Sequence, residues 1–146
     1  MKRYIKSAII KLSDEDVVSR MTIATNTDDA EILRELSKDS DPDVRINVAD
    51  NENTPEDVLR ELANDFWADF AVARNPNTPD DVLERLLETF LDSESPSTRC
   101  LVAENLRTSP SVLYELAQYD PSSEVRQAAW DNPNYDHDTY GWEFKQ

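Results

Sequence analysis

The 146-residue sequence holds one glycine, Gly141, one cysteine, Cys100, and one histidine, His137. A single glycine excludes the phosphate-cradling loops of nucleotide enzymes, which set several glycines at fixed spacing so that the backbone can approach the phosphates. A single cysteine excludes an intramolecular disulfide and any Cys-rich zinc or iron–sulfur site, and it leaves no mark of an oxidising compartment, so a cytoplasmic location is expected. Long apolar runs are lacking as well. The start, MKRYIKSAIIKL, has a basic end, but its longest apolar stretch is Ala8-Ile9-Ile10, far short of a signal segment or a membrane span. Strand signals are missing too, since β-branched alternation and turn glycines do not occur, whereas the Leu, Ala, Glu and Arg content favours helix. The chain is read as all-α.

Basic charge is scarce beyond the first dozen residues. The formal net charge is -16, and four of the fifteen bases (Lys2, Arg3, Lys6 and Lys11) precede the first acid, leaving eleven bases against thirty-one acids from Leu12 onward. Such a surface repels nucleic acid and anionic membrane and attracts basic proteins or cations. It serves equally to keep an elongated stack soluble.

What the sequence has in abundance is repetition. NENTPEDVLRELA (Asn51 to Ala63) recurs as NPNTPDDVLERLL (Asn75 to Leu87), with degenerate copies at TNTDDAEILRELS (Thr25 to Ser37) and ENLRTSPSVLYELA (Glu104 to Ala117). Alignment on Asn26, Asn51, Asn75, Asn105 and Asn132 gives five repeats, the last truncated, at intervals of 25, 24, 30 and 27 residues. Val-Ala precedes the Asn at Val48-Ala49, Val72-Ala73 and Val102-Ala103, and small residues there permit close helix contact. After the Asn, Thr54-Pro55, Thr78-Pro79 and Ser109-Pro110 read as hydroxyl N-caps followed by Pro at the first helical position. Acids in the first turn, Glu56-Asp57 and Asp80-Asp81, suit the positive end of the helix dipole. The apolar sets Ile32, Leu33, Leu36; Val58, Leu59, Leu62; Val82, Leu83, Leu86; and Val112, Leu113, Leu116 each form one helical face. Tandem helix pairs bury such faces by stacking, so a solenoid of about five pairs is expected, with a use in holding a partner.

A single repeat domain follows: an amphipathic capping helix over Met1 to Leu12, repeats over 13–134, and an aromatic and acidic tail over 135–146 that folds back as a cap or docks elsewhere. Six residues before the Asn an Arg recurs, as Arg20, Arg45, Arg99 and Arg126, with Asp69 in its place in the third repeat. This ladder either pairs with neighbouring acids or forms a positive strip broken at Asp69. The third junction, Asn64 to Phe70, has no proline and brings Phe66, Trp67 and Phe70 together, and the following helix runs on through Thr89-Phe90-Leu91.

The pattern VRxxVAxNxNTPxDVLxxLA in Val44 to Ala63, with its copies through Ala117, resembles the leucine-rich repeat variant family, which is similar to HEAT-like repeats. The resemblance covers roughly Leu12 to Asn134. It implies an α-helix paired with a shorter, often 3₁₀, helix in each repeat of a right-handed α-solenoid with terminal caps. Some members carry a Cys-rich iron–sulfur segment, which this sequence lacks, so no cofactor is carried over. The resemblance implies no activity.

No enzyme reading survives. His137 lies in the acidic tail, and Cys100 stands where other repeats have Met21, Ile46 and Phe70, so a Cys–His nucleophile is not supported. Asp39, Asp41 and Asp43 imitate a calcium loop, but its sixth position is Val44 rather than Gly, and helix capping explains them better. Two functions remain. One is a non-enzymatic protein-binding module whose candidate site is Phe66, Trp67, Asp69 and Phe70 with Arg45 and Arg99. The other is an acidic inhibitor that mimics nucleic acid and occupies a DNA- or RNA-binding protein, as anti-restriction or anti-CRISPR proteins do. Neither binds nucleic acid or membrane directly.

Overall fold

The computed structural model describes residues 15–90 and 96–140, and every regular element in them is a helix. The expected N-terminal cap, Met1 to Leu12, lies outside the described residues, as do Leu91, Trp142 and Phe144. The helices are α1 (Val17–Asn26), α2 (Ala30–Leu36), α3 (Pro42–Asp50), α4 (Glu56–Leu62), α5 (Asp69–Arg74), α6 (Asp80–Phe90), α7 (Ser97–Glu104), α8 (Pro110–Tyr119), α9 (Ser123–Asp131) and α10 (His137–Tyr140). They fall into two compact units, Met1–Asn77 and Thr78–Gln146. Within the first unit α1 packs on α3 and α3 on α5, while α2 and α4 each bridge consecutive first helices. Within the second, α6 packs on α7, α7 on α9 and α8 on α9. This is the consecutive packing of a helical repeat.

The apolar sets are the core. Leu33, Leu36, Val58, Leu59 and Leu62 are buried in the first unit, and Val82, Leu83, Leu86, Leu113 and Leu116 in the second. Ala24, Ala49, Ala73 and Ala103 are sealed completely, which allows the close approach of helices that a larger side chain would block.

Aspartate side chains cap the starts of α1, α2 and α3, with Asp29 accepting from Glu31 N–H at 2.9 Å for α2. Asp16 accepts from Ser19 N–H at 3.0 Å, and Asp41 accepts from Asp43 N–H at 2.9 Å with Pro42 next in line. The hydroxyl caps expected for the second helices are a correction. Helix α4 begins at Glu56, Pro55 is the capping residue, and no side chain caps it. The buried Thr54 hydroxyl instead donates to Val48 O at 2.5 Å, and Thr108 donates to Val102 O at 2.6 Å. Thr108, not Ser109, is therefore the equivalent of Thr54, and Ser109, which does sit at the cap position, makes no cap bond. The hydroxyl three residues after the Asn faces back into the bend, where it gives a second donor to a carbonyl that already accepts the Asn N–H, from Asn51 to Val48 O at 3.1 Å and from Asn105 to Val102 O at 3.2 Å.

The carbonyls that a helix end leaves without intrahelical partners explain the repeated Asn. First helices end in extended backbone at Asn51, Asn75, Asn105 and Asn132, and no described residue has positive φ. The glycine-based left-handed termination, which would satisfy the last carbonyls from within, is not used. Those carbonyls are met from the following repeat. Asn51 Nδ2 donates to Ala24 O and Thr27 O, both at 2.8 Å. Asn75 Nδ2 donates to Ala49 O at 2.7 Å and Asn51 O at 2.9 Å, and Asn132 Nδ2 to Ala103 O at 2.7 Å and Asn105 O at 3.0 Å. Each Oδ1 accepts the N–H two residues on, from Asn53, Asn77 and Asn134, at 2.8 to 2.9 Å. An amide has two donors and an acceptor, and each of these uses all three kinds of bond in a buried place.

Asn51→Ala removes two buried donors and strands their carbonyls, so it should cost about 2–4 kcal/mol of stability in denaturant unfolding. Leu62→Ala and Leu86→Ala should each cost about 2–5 kcal/mol as core truncations. Near-neutral unfolding for the asparagine variant would show that the clip is incidental.

Candidate functional site

The Arg ladder is built into the scaffold. Arg20 reaches Asp39 through Nε at 2.7 Å and Nη2 at 3.1 Å while its Nη1 donates to Glu15 O at 2.6 Å. Arg45 Nε donates to Asp65 at 2.5 Å, and its Nη1 donates to Asp39 O at 2.8 Å. Arg99 repeats the arrangement on Asp120 at 2.8 and 3.3 Å, with Nη1 on Phe90 O at 3.2 Å. Each guanidinium thus ties a backbone carbonyl upstream of its own helix, Glu15 O, Asp39 O or Phe90 O, to an aspartate some twenty residues further along the chain. The Arg99 and Asp120 side chains are each only 2% exposed. That burial leaves Arg99 no face to offer a partner, and it makes removal of either member costly because the other stays charged and buried.

In the third repeat the position belongs to Asp69, whose backbone starts α5. The residue is 8% exposed, and its Oδ1 accepts from Phe70 N–H at 2.6 Å. Burial pushes its carboxyl above the ordinary range, the Phe70 bond opposes this, and the nearby Asp65 charge adds to the rise. Among the described residues no cation meets Asp69.

Around Asp69 the chain turns its aromatics outward. Phe66 is 76% exposed, Trp67 60% and Phe70 46%, and Phe66 meets Trp67 edge to face with centroids 5.3 Å apart. The turn that presents them is held by Asp65, whose Oδ1 accepts from Trp67 N–H at 3.0 Å while its Oδ2 takes the Arg45 bond. Arg45 is therefore a positioning residue for the aromatic turn, and its hydrogen bond holds the Asp65 carboxyl below the usual range. Five of the six residues expected at a site, Arg45, Phe66, Trp67, Asp69 and Phe70, come together in the first compact unit, while Arg99 lies buried in the second. An exposed cluster of three large aromatics is uncommon on a protein surface.

The other singled-out residues have structural surroundings. The half-buried Cys100 thiol is pushed up by burial and then by Glu124 and Glu104, away from a reactive thiolate. His137 packs against Trp130 at 4.7 Å and Tyr135 at 4.8 Å, and Tyr140 lies 4.3 Å from Tyr114, so 135–140 turns back onto α8 and α9. Asp39 and Asp41 are engaged by Arg20 and by the start of α3. Periodicity marks the clip asparagine without showing the carbonyls it serves.

Residues 42–66 match the leucine rich repeat variant family, a protein-interaction repeat. The matched segment spans α3, the Asn51 clip, α4 and the Arg45–Asp65 pair and ends on Phe66. No curated protein and no solved structure matches the chain. No helix among the described residues is long and apolar enough to cross a membrane.

Asp69→Asn keeps the acceptor for Phe70 N–H and removes the buried charge. A carboxyl with a raised folded-state pKa favours the fold fully only below its unfolded pKa, and that contribution is lost as pH rises through the folded value. The variant should therefore melt higher than the wild type at about pH 7, and the gain should vanish below about pH 3.9, the unfolded value. An equal difference at both pH values would contradict the burial.

Proposed function

We propose that this chain, which carries a leucine rich repeat variant at 42–66, is a non-enzymatic module that binds a protein partner through the turn at Phe66 to Phe70. The observation that carries the reading is the outward exposure of Phe66, Trp67 and Phe70 on a turn held by the Arg45–Asp65 bond. Aromatics supply large contact area at small cost in conformational entropy and dominate interface energetics, so Trp67 is the anchor. Asp69, only 8% exposed, contributes through the Phe70 N–H that its Oδ1 accepts, which fixes the backbone that carries this ring. Rigid support matters here, because an aromatic already held in place loses less freedom on binding.

The competing reading is nucleic-acid mimicry by the acidic body, favoured by thirty-one acids against fifteen bases. Against it, many of those acids have local tasks. Asp39, Asp65, Asp120, Asp57 and Asp50 sit in ion pairs with Arg20, Arg45, Arg99, Arg34 and Arg74, and Asp16, Asp29 and Asp41 cap helices. A carboxylate paired with arginine is a poor stand-in for a phosphate.

Affinity capture with wild-type and Trp67→Ala baits, each followed by a salt gradient, separates the two. Trp67→Ala should leave the melting temperature unchanged and weaken the captured partner by about 2 kcal/mol, with modest salt dependence. Retention of a nucleic-acid-binding protein by the variant, with release by moderate salt and competition by DNA, would overturn the module in favour of mimicry.

A further inference from the structure

The second compact unit carries a groove of about 450 Å³ between α6 and α8, with a size typical of a site that takes a small molecule or a long side chain. Its lining includes the buried Leu87 and Leu116 and four carboxylates, Glu84 and Glu88 from α6, Glu115 from α8, and Asp120 just past α8. Among the described residues no lysine or arginine contributes to the lining. The three glutamates make no ion pair among the described residues, unlike Asp120 at the same groove, which Arg99 already holds. At the end of α8 Tyr119 stands 75% exposed, its ring 6.5 Å from Tyr114 and edge-on to it. A concave surface lined by one sign of charge over apolar walls concentrates the opposite charge.

We propose that this groove docks an arginine-bearing amphipathic segment of a partner protein. The match is chemical at each level. An apolar stem lies on Leu87 and Leu116 while the charged head stays at the wet rim. A planar guanidinium bonds carboxylates in pairs and stacks on an exposed aromatic face, as Glu84, Glu88, Glu115 and Tyr119 together invite, whereas an ammonium offers neither geometry. The apolar neighbours of such an arginine in its own segment cover Leu116 and the Tyr119 ring. Nucleic acid is repelled by the same carboxylates. The groove shares no residue with Phe66 to Phe70, so its failure would leave the aromatic site standing, and the reverse holds.

The probe is a fluorescein-labelled helical peptide with two arginines one turn apart beside leucines, together with a citrulline counterpart that keeps the shape and removes the charge. In heteronuclear NMR the arginine peptide should shift the amides of residues 84–88 and 111–119. By fluorescence anisotropy its affinity should fall about tenfold for E84Q/E88Q/E115Q, and the citrulline peptide should lose a similar factor on the wild type. E35Q/E52Q/E61Q, which carries the same net charge, should bind as the wild type does. Tyr119→Ala should weaken binding severalfold without lowering the melting temperature. Equal loss in both triple variants, unshifted groove amides, or full displacement by free arginine amide at the peptide's own concentration would overturn the proposal.

Discussion

A buried asparagine amide that reaches back to the last carbonyls of the preceding repeat is the interaction on which the rest of this structure depends. Helix termini leave carbonyls without intrahelical partners, and a buried carbonyl left unpaired is costly. Many helices answer this with a glycine in the left-handed conformation, but this chain has one glycine in all and no positive φ among the described residues. The first helices therefore stop in extended backbone and borrow donors from the next repeat, through Asn51, Asn75 and Asn132, with Thr54 and Thr108 serving the same bends from within. Local termination and repeat-to-repeat attachment become one event. Asparagine is the residue that fits, since aspartate has no donor and glutamine is a methylene longer.

On that scaffold the arginine–aspartate pairs set the turns. Arg20, Arg45 and Arg99 hold an aspartate, and Arg126 holds the carbonyls of Asp120 and Pro121, whereas the third repeat has Asp69 and a turn with its aromatics facing outward. Arg45 connects the two regimes, because the aspartate it holds is also the acceptor that shapes the backbone at Trp67. Scaffold and candidate site thus share a hydrogen-bond network, so that loss at Arg45 is felt at the aromatic turn.

Much of this was legible in the residues. The Asn spacing, the apolar faces and the missing strand signals pointed to stacked helix pairs, and first-turn acids and prolines marked helix starts. Thr before Pro is a common cap signature, whereas the pull of a buried carbonyl six residues upstream on the Thr54 hydroxyl has no local signal. The Arg ladder left two roles open, and only the distances to Asp39, Asp65 and Asp120 decide between them. The exposure of Phe66, Trp67 and Phe70 was equally undecided, since aromatics at a repeat junction often pack between repeats. The groove at Glu84 and Glu115 was invisible, because it exists only through the spacing of α6 and α8.

Native-state hydrogen exchange tests the asparagine clip most directly. The N–H groups of Asn53, Asn77 and Asn134 lie in loops, where backbone amides ordinarily exchange fast, yet each donates to a buried asparagine Oδ1. If the clip holds the repeats together, these three amides exchange as slowly as the buried core helices, by the same global opening. Exchange of all three at loop rates, with the helix cores still protected, would contradict it.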